Sequence, residues 1–211
     1  MSAIGGQGWT AKSTPKQHIE EQPIRRPEAP WEKVAIDITG PFENAPGNMR
    51  FIVVLVDYFS NFPEILCTTD ITSSRIVKWL SELFSRYGNP NKLVSDNGPQ
   101  FVSAEFEQFL QNRDIAHELS PVYHPQHNGL VEVFNRYLKH GIQTFAASRK
   151  LWYDGLLDLL THYRATAMTP VTGTSPAELF FGRKARLHFQ RCLRKEEKSR
   201  STKLSRLVLK I

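Results

Sequence analysis

Three carboxylates stand where a folding argument alone would not put them. Asp37 interrupts the apolar alternation of Val34, Ile36 and Ile38. A charge at the centre of a sheet costs on the order of several kcal/mol unless it is paired or ion-bound. Asp96 closes a short strand-like run, Lys92–Ser95, and opens the turn Asp96-Asn97-Gly98-Pro99, whose glycine permits close backbone approach. Glu132 lies one turn into a helical pattern, just after the breaker-rich SPVYHPQHNG at 120–129. Carboxylates from separate elements that converge make an all-oxygen site for a hard cation, Mg²⁺ or Mn²⁺. Two such ions, roughly 3.5–4 Å apart, clamp the attacking and leaving oxygens of an in-line phosphoryl displacement. Residue type and period alone leave solvated or structural acids as an open alternative.

Glu132 has cationic helical neighbours. Arg136 at i+4 and Lys139 at i+7 project from the face that bears the carboxylate, where they can grip phosphates. An ordinary Glu–Arg pair within the helix, worth a few tenths of a kcal/mol at roughly i+4 spacing, is the competing explanation. Other groups fit chemistry less well. Asp57 precedes Tyr58-Phe59-Ser60-Asn61 and suits a turn. His124 and His127 have a ligand-like spacing, but no cysteine pair is near, which argues against zinc. Trp152 and its stripe mates suit either a core or a dimer face.

The elements that must position these groups are legible from period and punctuation. The start through Pro30, rich in Pro and Gly, has no apolar period and is expected to be an extended leader. Order begins at Trp31. Residues 34–38 predict a strand with one apolar side, and FIVVLV at 51–56 predicts a strand buried on both faces. Phe62–Cys67 predicts a third strand, giving an antiparallel meander. The period then changes: Thr72 or Ser73 caps a helix with Ile76, Leu80, Leu83, Phe84 and Tyr87 on one stripe, stopped by Gly88. Lys92–Ser95, a helix from near Ser103, and Ile115–Leu119 follow as strand, helix, strand. Three further helices carry Val131, Phe134, Leu138, Ile142 and Phe145; Trp152, Leu156, Leu159, Leu160 and Tyr163; and a Ser175-Pro176-Ala177-Glu178 capping box ended by Gly182. The order β-β-β-α-β-α-β-α-α-α predicts a mixed sheet with helices on its faces.

Composition narrows the class. The 211 residues suffice for one packed domain with tails, and 40% hydrophobic with 23% charged residues suits a globular chain. The longest apolar run is too short for a bilayer, and no signal-peptide core is visible, so neither membrane insertion nor secretion is expected. The two cysteines, Cys67 and Cys192, stand far apart, which argues against a disulfide framework. The net charge is +6, yet Arg183–Ile211 holds eleven Lys or Arg against two Glu, leaving the first 182 residues at −3. The sequence pI of about 9.4 is therefore a property of the end of the chain. Such a tail suits a polyanion, most simply nucleic acid, or is a solvated end.

Over about Trp31 to Arg186 the chain resembles the integrase cores of retroviruses and, more closely, of gypsy-type retrotransposons. That family carries two aspartates and a glutamate, with thirty-five residues between the second and third. Asp96 and Glu132 have that separation. WEKVAIDITGPF, VSDNGPQF and SPVYHPQHNGLVEVFNR match around the three acids, and FIVVLVDYFSNFPE and GTSPAELFFGR resemble further blocks. The resemblance implies an α/β, RNase H-like fold, a five-stranded mixed sheet flanked by helices. It implies a catalytic and metal-binding set of Asp37, Asp96 and Glu132 holding Mg²⁺ or Mn²⁺, with two ions. Asp37 would bridge them, with Asp96 on one ion and Glu132 on the other. The implied activity is DNA integration by a polynucleotidyl transferase and endonuclease. Water first cleaves the element's DNA near its 3′ end, and the freed hydroxyl then joins it to target DNA. DNA is the implied partner, contacted by Lys139, Arg136, Tyr123 and Asn128; a homodimer or higher oligomer is expected, in the nucleus or a pre-integration particle.

The departures shape further expectations. A zinc-binding His-His-Cys-Cys module usually precedes the core; with only His18 and no cysteine before Cys67, it is expected to be missing. Val133 stands where many gypsy-type relatives have Arg. The tail lacks the aromatic, β-rich pattern of a DNA-binding barrel. The expected organisation is a leader at 1–30, a catalytic core at 31–189 and a basic tail at 190–211. These losses suit a truncated copy or a host gene derived from such an element, without full concerted integration. A catalytically silent DNA-binding module and a simple nuclease of the same fold are the alternatives.

Overall fold

The computed structural model describes residues 27–43, 45–47, 49–120, 129–147, 151–166 and 173–185, apart from the side chains of 145–147. β1 (Lys33–Thr39), β2 (Phe51–Asp57) and β3 (Pro63–Thr68) form an antiparallel meander. β4 (Lys92–Ser95) adds parallel to β1, and β5 (Ala116–Leu119) parallel to β4. The strand order is β3-β2-β1-β4-β5, a five-stranded mixed sheet with β1 at its centre.

Helices cover both faces. α1 (Ser73–Tyr87) and α2 (Ala104–Gln111) bury Ile76, Trp79, Leu80, Leu83, Phe106 and Leu110 against Val34, Ile36, Val53, Leu55 and Leu93. α3 (Gly129–Ala147) and α4 (Trp152–Ala165) bury Val131, Phe134, Leu138, Leu156 and Leu160 against Ala35, Ile52, Val54 and Val94. Each fully buried side chain of this size contributes about 1.5–3 kcal/mol of transfer free energy. The alternation of strand side chains divides the two cores cleanly: Val34 and Ile36 face α1, and Ala35 faces α3.

The predicted element order is the observed one, with two adjustments. β1 is apolar on both sides rather than one, because as the central strand it lies under a helix layer on each face and Ala35 is wholly buried. β5 begins at Ala116, with Ile115 left as a core residue before it. Trp152 is core, not a free face. The predicted caps are in place: Thr72, Ser103 and Ser175 each accept from a backbone N–H of the first turn, and Gly182 closes α5 (Pro176–Phe181) in the left-handed region. Gly141 sets the approach of α3 to α4, since a Cβ there would lie 2.4 Å from Leu159.

Asp57 is the turn-former that its sequence context suggests. Fully buried, it accepts from the Trp31 and Ser60 backbone N–H groups at 2.9 and 2.8 Å. Trp31 in turn donates its indole N–H to the Gly88 carbonyl at 2.8 Å and packs on Tyr87 and Phe180. Trp31 thus ties the segment before β1 to the end of α1 and to the turn after β2. Among the described residues no helix is long and apolar enough to cross a membrane.

Candidate active site

The parallel pairing of β1 with β4 brings two of the predicted acids together. Ala35 pairs with Val94, and both side chains lie in the core beneath α3. Two residues further on, Asp37 and Asp96 fall on that same face, at the carboxyl ends of adjacent strands. This is the end of a parallel sheet where ligands bind in open α/β folds. Asp96 lies just past the ladder, exposed, and its Oδ1 accepts from the Gly98 N–H at 3.0 Å. A Cβ on Gly98 would stand 3.0 Å from that same oxygen, so a side chain there would press on the Asp96 carboxylate.

Asp37 is held on both oxygens. Oδ1 accepts from the Ile38 N–H at 2.8 Å, and Oδ2 from the Asn135 side-chain amide at 2.7 Å. Burial pushes its carboxyl up most strongly and repulsion from Asp96 adds to this. The Ile38 and Asn135 N–H groups and the Lys139 ammonium pull the other way, and the carboxyl settles at about 6. A cation beside the two carboxylates relieves both their repulsion and the burial of Asp37.

Glu132 is in the first turn of α3, exposed, and α3 lies over β1 because its opposite stripe is apolar. A cleft of about 540 Å³ is lined by Asp37, Glu132, Asn135, Arg136, Lys139, His140 and Gln143. The predicted i+4 and i+7 cations therefore share the cleft with the two carboxylates. Asp37 and Asp96, close enough to repel one another, offer only oxygen donors, which suits a hard divalent ion. Among the described residues no three His, Cys, Asp or Glu side chains cluster closely enough to hold one ion. Glu132 thus shares the cleft of Asp37 without closing a three-ligand cage. Tyr123 and Asn128 lie outside the described residues, as do His124 and His127.

Asn135 was not singled out from the sequence. The available signal was its place in the apolar stripe of α3, between Phe134 and Leu138, where a polar side chain is buried to 7% exposure. His140 and Gln143 extend the polar face and were likewise not named.

The sheet order, the crossing helices and the acid-lined cleft at the strand ends define an RNase H-like fold. Residues 27–125 match the family model described as integrase core domain. An uncharacterized protein of Caenorhabditis elegans is 37% identical over 160 residues, 76% of this chain and 12% of that protein. The Pol polyprotein of radiation murine leukemia virus is 35% identical over 162 residues, 74% of this chain and 26% of the polyprotein. Among solved structures, the simian T-cell lymphotropic virus intasome in complex with a PP2A regulatory subunit superposes with a TM-score of 0.66 at 25% identity, covering 78% of this chain and 58% of that chain. The catalytic core domain of HTLV-2 integrase in complex with magnesium gives 0.60 at 22% identity, covering 73% and 99%. The chain belongs to the integrase cores of retroviruses and retrotransposons. It spans between 12% and 26% of the length of these two curated relatives.

Proposed function

We propose that this core is a divalent-metal-dependent polynucleotidyl transferase that cleaves 3′ DNA ends and joins them to target DNA. The observation that carries it is the meeting of Asp37 and Asp96 at adjacent strand ends, opposite the Glu132–Lys139 face of α3. Asp37 and Asp96 would hold Mg²⁺ or Mn²⁺, two ions at full occupancy, with Glu132 completing the set once DNA fills the cleft. Such ions, when bound, supply Lewis-acid stabilisation of the oxygens entering and leaving phosphorus. The chain's own groups do the rest. Asn135 orients the Asp37 carboxylate. Lys139 and Arg136 hold phosphates flanking the scissile bond, so that the attacking hydroxyl, of water or of a DNA end, stays in line. Tyr123 and Asn128 are proposed as further DNA contacts.

The HTLV-2 core, in complex with magnesium in a trimeric form, and the intasome of the simian T-cell lymphotropic virus support metal use and association of copies. The alternative is a catalytically silent DNA-binding module, in which Asp37 and Glu132 line the cleft without holding an ion. A single assay separates the two. With an oligonucleotide bearing an element-like end, joining to a second duplex is measured with Mg²⁺, with Mn²⁺ and with chelator. Metal-dependent joining lost in Asp37→Asn supports the transferase; DNA binding without joining in either metal would leave only the silent module.

A further inference from the structure

A chain of three side chains, running inward from the part-exposed Glu107 to the buried Ser95, ends on the candidate ligand Asp96. The Ser120 N–H bonds to the Ser95 carbonyl at 2.8 Å, so the backbone of Asp96 lies one residue past that bond. Its carbonyl instead accepts from the Ser95 hydroxyl, also at 2.8 Å. Ser95 is wholly buried, and its Oγ stands 2.9 Å from His117 Nε2. His117 projects from β5, its side chain 6% exposed and tilted against Phe106. Its Nδ1 meets Glu107 Oε1 on α2 at 2.5 Å. The chain therefore runs from a part-exposed carboxylate on a helix, through the edge strand, to the turn that presents Asp96.

Serine, histidine and a carboxylate in this order also serve nucleophilic catalysis. Ser95 has no exposed surface and its hydroxyl is committed to the strand end, so no substrate carbonyl or phosphate can reach it. What the chain can do is fix geometry. With the hydroxyl proton on the Asp96 carbonyl, Ser95 Oγ accepts from His117 Nε2–H while Nδ1–H donates to Glu107, so the ring, donating from both nitrogens, cannot rotate and in turn fixes the hydroxyl. The hydroxyl holds the Asp96 carbonyl, and on the other side of the residue Gly98 holds Oδ1. Backbone and carboxylate of Asp96 are then clamped from two directions.

We infer that Ser95, His117 and Glu107 form a positioning relay that sets Asp96 for divalent-cation binding, a role resting on the proposed metal site. The relay costs burial of polar groups that apolar side chains of similar size would avoid, and its terminus on Asp96 is what it secures. Groups that orient metal ligands in this way typically change affinity by about 10–100-fold when removed.

The test uses the whole chain and follows the Gly98 amide resonance during a Mg²⁺ titration, because that N–H rests on Asp96. Ser95→Ala should raise the half-saturating Mg²⁺ concentration about ten-fold, and Ser95→Thr, which keeps the hydroxyl, should restore it. Glu107→Ala, at a part-exposed position, should weaken binding less. Combined with Ser95→Ala it should add nothing, since both act through one chain. Metal-free melting temperatures check that each variant is folded; if Ser95→Ala is not, Glu107→Ala alone decides. Parent-like Mg²⁺ binding in the folded relay variants would overturn the relay. Asp96→Asn runs alongside: if it too binds like the parent, the metal site itself is wrong, whereas loss in Asp96→Asn alone condemns only the relay.

Discussion

The Asn135 amide donates to Asp37 Oδ2 across 2.7 Å, tying the helix that carries Glu132 to the central strand of the sheet. The partners are 98 positions apart in the sequence, and α3 reaches the strand because Val131, Phe134 and Leu138 pack on Ala35, Val54 and Val94. The other amide atom, Oδ1, is buried without a hydrogen-bond partner among the described residues.

Asn135→Leu should therefore separate stability from function. It removes an unpaired buried oxygen at similar shape but also takes the donor from Asp37 Oδ2, so the two effects oppose each other and the metal-free melting temperature should change little. DNA joining should fall about ten-fold or more, because the Asp37 carboxylate loses the group that orients it. Rates and melting curves on the same preparation check this. Parent-like joining in the variant would remove Asn135 from the site.

Asp37, Asp96 and Glu132 should behave as one unit. Single changes to Asn, Asn and Gln each abolish nearly all metal-dependent joining, and any pair does little more damage than one. Single-turnover rates measure this. Retention of near-normal joining by Glu132→Gln would detach α3 from the chemistry.

The raised carboxyl of Asp37 gives a pH dependence of stability with a definite sign. It titrates at about 6 in the fold against 3.8 for an unperturbed aspartate. A native value above the unfolded one favours the protonated native state. The stabilisation is fully present below about pH 4 and is lost as pH rises through about 6, a change of about 2–3 kcal/mol. Metal-free protein should accordingly lose stability from this group across that window. Mg²⁺ should offset the loss near neutral pH, by ligand linkage. Asp37→Asn should flatten both effects and be at least as stable as the parent in metal-free buffer at about pH 7. Denaturant titrations at about pH 4.5 and 7, with and without Mg²⁺, check the sign; identical profiles for the two proteins would contradict it.

DNA affinity and catalysis should divide between tail and core. The surplus positive charge lies beyond residue 182. Deleting Gln190–Ile211 should flatten the slope of log affinity against log salt by about 0.9 for each phosphate that the tail no longer neutralises. Lys139→Ala should cost less affinity and more rate, since Lys139 shares the cleft with Asp37 and Glu132 and acts by position. Fluorescence anisotropy over a salt series, beside the joining assay, measures both. An unchanged slope after deletion would make the tail a bystander in binding.

Much of this molecule is written locally. Periods of two and 3.6, with Thr72, Ser103, Ser175 and Gly182 as punctuation, determine the strands and helices, because caps and amphipathic stripes are short-range physics. The spacing of Asp96 and Glu132, with the blocks around them, likewise marks the acids before any fold is known. What only the tertiary structure decides is adjacency. No local pattern states that β4 lies parallel beside β1, and that pairing alone brings Asp37 and Asp96 to one strand end. Nor does any local pattern reveal that Asn135 reaches Asp37, or that Glu107, His117 and Ser95 link a helix and two strands to Asp96. The bonds Glu107–His117, Ser95–His117 and Asn135–Asp37 join residues 10, 22 and 98 positions apart. Their partners are selected by how the packed faces of sheet and helix come into register, a property of the whole fold rather than of any segment.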